Sequence, residues 1–429
     1  MEYTAFASQA LEQFRTLPEE TDELYKKYFV AMPLEAMGDR ITAQKPAQMS
    51  ANNQIKDVIA SLERKFEAIF WSNGEMVDSK NIKVLKSQGL DSDLINGLMT
   101  KSSEDKIAAF LQAYSSRTVI IDIPKRTTAK LNLLFVNTTS PLPIQILIRI
   151  GEGAKLNLFE YYTSSTTEQS LLGALHEITA EKYSAAEINI VHNEDSNTMS
   201  LGWAKIKGDE KSNVKVNFIY NGGTFTRSRN KVDVAGFEAN AEVNELIVST
   251  GEQKMDISTN IINTAKNSNA ILESKAVLMD KSVCLLKGYA SIMENAAGSR
   301  SYVNERGIVL DKTAHLDSIP SMSIGNSDVK ATHSSATAPI DEESIFYLMS
   351  RGASEIEAKK MVIDGFIAGI IGKIDDVIVR EIVASIINEK VTTKKFGVVP
   401  KVTTESLWLA GTVQKSSSIF KGHYKYRGE

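Results

Sequence analysis

The side chains best suited to hold a metal or act as nucleophile are few in this chain of 429 residues. There is one cysteine, Cys284, and there are five histidines, at 176, 192, 315, 333 and 423. A single thiol excludes an internal disulfide and any zinc or iron–sulfur site built from this chain's own thiolates. A neutral imidazole is a competent iron ligand, but a lone strand histidine is more often a satisfied structural residue. Cys284, in KSVCLLKGY, reads as a buried strand cysteine behaving as a small hydrophobe. No G-x-x-x-x-G-K-[ST] loop occurs, so there is no ATP site of that kind; Gly151-Glu152-Gly153-Ala154-Lys155 lacks the spacing. G-x-S-x-G, H-E-x-x-H and C-x-x-C are also absent. The adjacent acids Glu194 and Asp195 lie in a turn-like HNEDSN stretch, and Glu242 falls more than one repeat further on. They do not cluster as a glycoside-cleaving pair must.

Bulk properties narrow the class. Apolar residues make up 42% and charged residues 24%, as in ordinary globular protein, and the net charge is −4. That balance predicts neither nucleic acid nor an anionic membrane as partner. The opening MEYTAFASQALEQF has no basic then apolar signal pattern, and no apolar run approaches a membrane span. The expected compartment is the cytoplasm.

The elements that position these residues change in kind along the chain. Residues 1 to about 115 read as mainly helical: Ala10, Leu11 and Phe14 form one short face, and Ile59, Leu62, Phe66 and Phe70 a stripe. Ser103-Glu104-Asp105 opens a further helix carrying Ile107, Phe110 and Leu111, and MPLEAMGDRITAQKPAQMSANNQ reads as an irregular connection. From Arg117 the period becomes two. GAKLNLFEY, SAAEINIVH, SNVKVNFIY, ANAEVNELI, SNAILESKA, GSRSYVNER and SDVKATHSS then recur at intervals of roughly 27 to 31 residues, with weaker half-steps such as KSVCLLKGYASI between them. Short strands with small corner residues at a fixed interval predict a parallel β-helix over 116–335, with Val214, Val216 and Phe218 sharing one face of a strand and Val243 and Ile247 doing the same one coil later. An antiparallel sandwich is the alternative, and would show more two-residue hairpin turns than the one candidate, Asn221-Gly222.

A second change of grammar follows. Residues up to His333 read as extended, and Ser334 to Pro339 as a small-residue link. Asp341 is placed to cap a helix, Gly352 to end it, and Ser354 with Glu357 to form a capping box for the next. Ala358, Met361, Val362, Gly365, Phe366, Gly369 and Ile370 give that helix one apolar face, and a third helix from Asp375 carries Ile378, Ile382, Val383, Ile386 and Ile387. These form a helical domain over 336–390. The tail, 391–429, holds seven Lys/Arg against two Glu, as a solvated basic tail, an edge strand or a docking arm for an acidic partner would.

The stretch Asp328-Val329-Lys330, His333, Ala336-Thr337, Phe346-Tyr347-Leu348, Ser350-Arg351-Gly352, Glu357-Ala358, Met361 and Gly365-Phe366 resembles the C-terminal signature of the SufB/SufD family, the paired scaffolds of the SUF iron–sulfur assembly system. The D-V-K before the histidine is closer to SufD. The acidic residue that follows the histidine in SufB is Ser334 here, and the neighbourhood of SufB's upstream cysteine is Asn304-Glu305-Arg306. The cysteine SufD can carry two positions before its histidine is Ala331. The resemblance implies a mainly β fold with α: a right-handed parallel β-helix flanked by N-terminal and C-terminal helical domains.

It implies a SufD-like, non-enzymatic scaffold component. Such a component pairs with a SufB-type subunit or a second copy of itself through the last coils, and docks the SufC ATPase. His333 becomes the candidate metal ligand, with Thr332 and Ser334 orienting or shielding it. Glu342, Ile345, Phe346, Tyr347, Met349, Arg351, Glu355, Met361 and Phe366 become candidates for SufC docking. No intrinsic cofactor is expected, only a transient iron–sulfur cluster shared with a partner chain that supplies thiolates. The alternatives are a divergent β-helix adaptor without cluster function and a carbohydrate-active β-helix enzyme.

Overall fold

A computed structural model describes residues 3–22, 24–43, 66–71, 74–77, 81–86, 95, 97–138 and 141–397. Within them the chain winds into a parallel β-solenoid of eight coils, two strands to each coil. One strand of each coil enters a first sheet: β5 (Thr128–Asn137), β7 (Lys155–Ser164), β9 (Ala185–Asn193), β11 (Asn213–Tyr220), β13 (Asn240–Ser249), β15 (Asn269–Leu278), β17 (Arg300–Val309) and β19 (Lys330–Pro339). The other enters a second sheet: β4 (Arg117–Ile123), β6 (Leu142–Ile150), β8 (Ser170–Ala180), β10 (Thr198–Gly208), β12 (Phe225–Val234), β14 (Lys254–Asn263), β16 (Val283–Ile292) and β18 (His315–Ile324). Every neighbouring pair among these is parallel, and register partners in the first sheet lie 27 to 31 residues apart, as from Leu131 to Leu158 and from Leu272 to Val303. The weaker half-steps of the sequence are strands of the second sheet.

Corners repeat with the same interval. Arg126, Gly153, Tyr183, Lys211, Glu238, Asn267 and Gly298 all take left-handed backbone conformations. Each donates its amide to a carbonyl one coil on, as Gly153 does to Lys182 and Tyr183 to Glu210, both at 2.9 Å. A side chain in this conformation costs about 1–2 kcal/mol, and the ladder of hydrogen bonds holds it there. Asn221-Gly222 is likewise a corner between β11 and β12, not a hairpin.

Alternation sorts the side chains. Val214, Val216 and Phe218 point into the lumen, as do Val243 and Ile247 one coil later, and all are buried in one continuous core. Burying each such side chain contributes about 1.5–3 kcal/mol. The outer face of the first sheet, with Val191, Ile219, Leu246 and Val277, is covered by two C-terminal helices through Ile363, Ile367, Ile370, Ile382, Val383 and Ile386. The outer face of the second sheet, with Leu171, Leu175, Leu201 and Trp203, is covered by N-terminal helices through Phe14 and Phe110.

The N-terminal region departs from the helical expectation in one place. Helices α1 (Tyr3–Thr16), α2 (Leu34–Ala43) and α3 (Lys106–Tyr114, capped by Asp105) are present. α2 occupies part of the stretch expected to be irregular. Between α2 and α3 lie strands β1 (Ala68–Trp71), β2 (Gly74–Val77) and β3 (Ile82–Lys86). Phe70 is therefore in a strand, and Ile59 and Leu62 of its expected helical stripe lie outside the described residues. β1 runs parallel to β5 and is covered on both sides, Phe70 facing the lumen and Ile69 the helices, so it shows no period of two. β3 pairs antiparallel with β4 and ends the second sheet, while β2 ends the first.

At the other end, α4 (Glu342–Ser350) is capped by Asp341, and α5 (Glu355–Ile371) begins with the expected capping box of Ser354 and Glu357. Gly352 has a φ of +100°. α6 (Val377–Thr393) is capped by Asp376 and runs past the expected limit at 390. Two local expectations are corrected. Ser334 to Pro339 is not a link but the second half of β19, its backbone held in the ladder with β17. The buried side of α5 is Ala358, Ile363, Ile367, Ile370 and Ile371, whereas Met361 and Gly365 are exposed. The basic tail lies outside the described residues from 398 on.

Candidate functional site

β18 and β19 close the order of their sheets, so each has one edge without a neighbouring strand among the described residues. Among the described residues no strand or helix caps the lumen at this end. Its inner column runs Val216, Val243, Leu272, Val303 and His333 in successive register. The first four are buried and His333 is exposed, and its ring has no hydrogen-bond partner among the described residues. Thr332 and Ser334, its neighbours in the strand, face the opposite side. Ser334 donates to Asn304 Oδ1 at 2.8 Å on that outer side. They therefore do not orient His333 as expected. What shares its face is Ser335, which is hydrogen-bonded to Ser318 of β18 at 2.7 Å, and Ser318 in turn donates to Glu305 Oε2 of β17 at 2.5 Å. Glu305 is fully buried. Strand alternation from the lumen-facing Val303 turns Glu305 to the same side, where the register pairs it with Ser335.

Polar side chains continue inward from there. Glu245 accepts from Ser274 at 2.7 Å and from Thr259, and burial pushes its pKa up. Deeper still, His176 meets Glu160 at 2.8 Å and His192 meets Glu194 at 2.9 Å, all buried. These two histidines are satisfied core residues. Asp195 holds its own turn through the amides of Thr166 and Asn197, so the HNEDSN acids are structural. Cys284 faces the same lumen, fully buried, and burial pushes its thiol well above the ordinary range, which leaves it inert. His315 is exposed beside Asp317 at 3.1 Å, and His423 lies outside the described residues. Among the described residues no group of three or more His, Cys, Asp or Glu is placed to hold a metal ion.

The second candidate surface is the α4–α5 hairpin. Phe346 is 74% exposed and Met361 54%, with Tyr347, Met349 and Ile356 also exposed beside them. Arg351 lies over the Tyr347 ring at 5.1 Å. Asp341, Glu343, Tyr347, Leu348 and Val362 line a groove of about 510 Å³. Glu342 and Glu355 stand exposed at the helix starts, Glu355 paired with Lys359 at 2.7 Å. Two expected docking residues are placed otherwise. Ile345 is buried with Ile340 and Ala358 and holds the hairpin to the solenoid. Phe366 is half-buried against the first sheet, under Lys275 at 5.0 Å.

The family described as SUF system FeS cluster assembly, SufBD core domain, matches residues 136–366, which spans the solenoid from β5 to α5. This chain belongs to the SufBD family. Similarity to its members extends over most of the length. The iron–sulfur cluster assembly protein SufD of Bacillus subtilis is 23% identical over 365 residues, 81% of this chain and 78% of that protein. A SufBD family protein of Staphylococcus aureus is 24% identical over 370 residues, 85% of this chain and 77% of that protein. Within the family the chain stands closer to SufD, as its D-V-K-x-x-H pattern implies. No helix among the described residues is long and apolar enough to cross a membrane.

Proposed function

We propose that this chain is the SufD-like component of an iron–sulfur assembly scaffold, a structural partner and not an enzyme. It pairs through the open end of its solenoid with a SufB-type subunit or a second copy of itself. The observation that carries this reading is His333, a histidine that ends an otherwise buried apolar column at the open end, beside two strand edges free to pair. An exposed imidazole there supplies one ligand to a transient cluster, and thiolates must come from the partner because Cys284 is sealed in the core.

The α4–α5 hairpin docks the SufC-type ATPase. Its exposed Phe346, Tyr347, Met349 and Met361 give an apolar centre and Asp341, Glu342, Glu343 and Glu355 an acidic rim, which suits a partner face with an apolar pocket and basic surround. Anaerobic co-purification with the ATPase and second subunit, followed by iron and sulfide analysis, tests the whole reading. A stable complex carrying iron and sulfide supports it. A complex without either makes the chain an adaptor, and no complex removes the reading.

A further inference from the structure

Glu305 is a buried acid with no cation beside it. No Lys or Arg among the described residues pairs with it, and the groups that favour its charge are the Ser318 hydroxyl and the Gly288 amide. Its Oε1 lies against Gly288, where any side chain would strike it, so the sequence leaves room for the carboxyl. The titratable groups turned toward it are Glu245 from β13, Cys284 from β16 and Tyr25 from the N-terminal segment, with His333 at the mouth. A glutamine would fill the same space without the risk of an unpaired buried charge. Packing alone does not explain an acid here. What the acid has is a path out: Ser318 donates to Oε2 at 2.5 Å, and Ser318 meets Ser335, exposed at the mouth, at 2.7 Å.

We propose that Glu305 is the proton acceptor for the open end of the solenoid, taking up through Ser335 and Ser318 the protons that partner thiols release there on binding metal. This rests on the reading of the open end as the assembly face. A thiol that binds iron loses its S–H proton and keeps the electron pair. The proton bonds to Ser335 Oγ, Ser335 passes its own to Ser318, and Ser318 passes its own to the ionised Glu305. One S–H bond is broken, one carboxyl O–H bond is made, and each serine regains what it gave. Burial pushes the Glu305 carboxyl up to about 8, with the Ser318 hydroxyl opposing and Glu245 assisting. A thiol ionises near 8.5, so the transfer is close to thermoneutral.

Two measurements on the full chain test this. An infrared titration from about pH 6 to about pH 10 is expected to show a protonated carboxyl lost near pH 8 in the wild type and missing in Glu305→Gln. Reconstitution with ferrous iron and sulfide beside a SufB-type subunit is expected to show a rate inflection near the same pH. Glu305→Gln and Ser318→Ala are each expected to lose the inflection and to slow by about tenfold near pH 9, where the wild-type carboxyl is ionised, with final iron content unchanged. A titration confined to the ordinary carboxyl range overturns the proposal, as do two variants with wild-type rate and inflection. His333→Ala separates the layers. Normal iron content in that variant removes the assembly reading, whereas lost iron there with unaltered Glu305→Gln kinetics removes the relay alone.

Discussion

His333 lies in register with Val303, thirty residues earlier and one coil back. Both belong to one inward-facing column, yet Val303 is fully buried and His333 is exposed. A solenoid buries each coil against its neighbours, so this contrast marks a coil with no neighbouring coil beyond it among the described residues.

The hairpin prediction follows from exposure. Phe346→Glu and Met361→Glu place a charge where solvent already is, so stability should change by no more than about 0.5 kcal/mol. Binding of the SufC-type ATPase, read by co-purification or calorimetry, should be lost. Ile345→Glu serves as the contrast: it buries a charge between Ile340 and Ala358 and should loosen the hairpin itself. Retained ATPase binding in the first two variants would move the docking site elsewhere.

A different prediction concerns the segment between α1 and α2. Glu20 is buried and bonds Arg229 and Lys287, both at 2.9 Å, and Asp256 bonds the same two at 2.9 and 3.0 Å. Burial opposes the charge on Glu20, but Arg229 and Lys287 outweigh it and hold its pKa below the ordinary value. A depressed acid stabilises the fold above its unfolded pKa, and that stability is lost as pH falls through the folded value. Glu20→Ala should therefore lower unfolding stability at neutral pH by about 3–5 kcal/mol, and by less in acid. It should also open residues 17–32 to proteolysis. A neutral-pH loss below about 1 kcal/mol, typical of a surface pair, would contradict the clamp.

The repeat was legible because eight coils use the same interval and their corners the same left-handed turn. Val214, Val216 and Phe218 alternate with polar neighbours, and their face followed directly. Phe70 misled because β1 is covered on both sides, and its distance from Phe66 matches a helical turn by coincidence. Ser334 to Pro339 looked like a link because small residues mark both connections and the thin last coil of a solenoid. The ionic clamp was hidden: Arg227, Arg229, Asp256 and Lys287 sit at outward strand positions, where charge ordinarily means solvent, and only the fold brings residues 19 and 20 across them. Glu305 shares the inward face of Val303 by alternation, but nothing in the sequence marks an acid at that position as buried.

Glu305 also makes a stability prediction that needs no partner. Its folded pKa of about 8 is above its ordinary 4.5, so the folded chain keeps a proton that the unfolded chain releases. Stability on this account is complete below the unfolded value and falls as pH rises toward the folded one, then levels off. The melting temperature of the wild type should drop between about pH 6 and about pH 9 relative to Glu305→Gln. Parallel curves for the two proteins would show that the carboxyl is not held protonated.

The central claim is that the open end handles a cluster through His333, and iron and sulfide content of the complete complex carrying His333→Ala tests it most directly. An exposed side chain without a hydrogen bond contributes little to the fold, so the melting temperature and subunit composition should match the wild type. Iron and sulfide should fall together, by several-fold. A substituted complex with wild-type iron and sulfide would contradict the account.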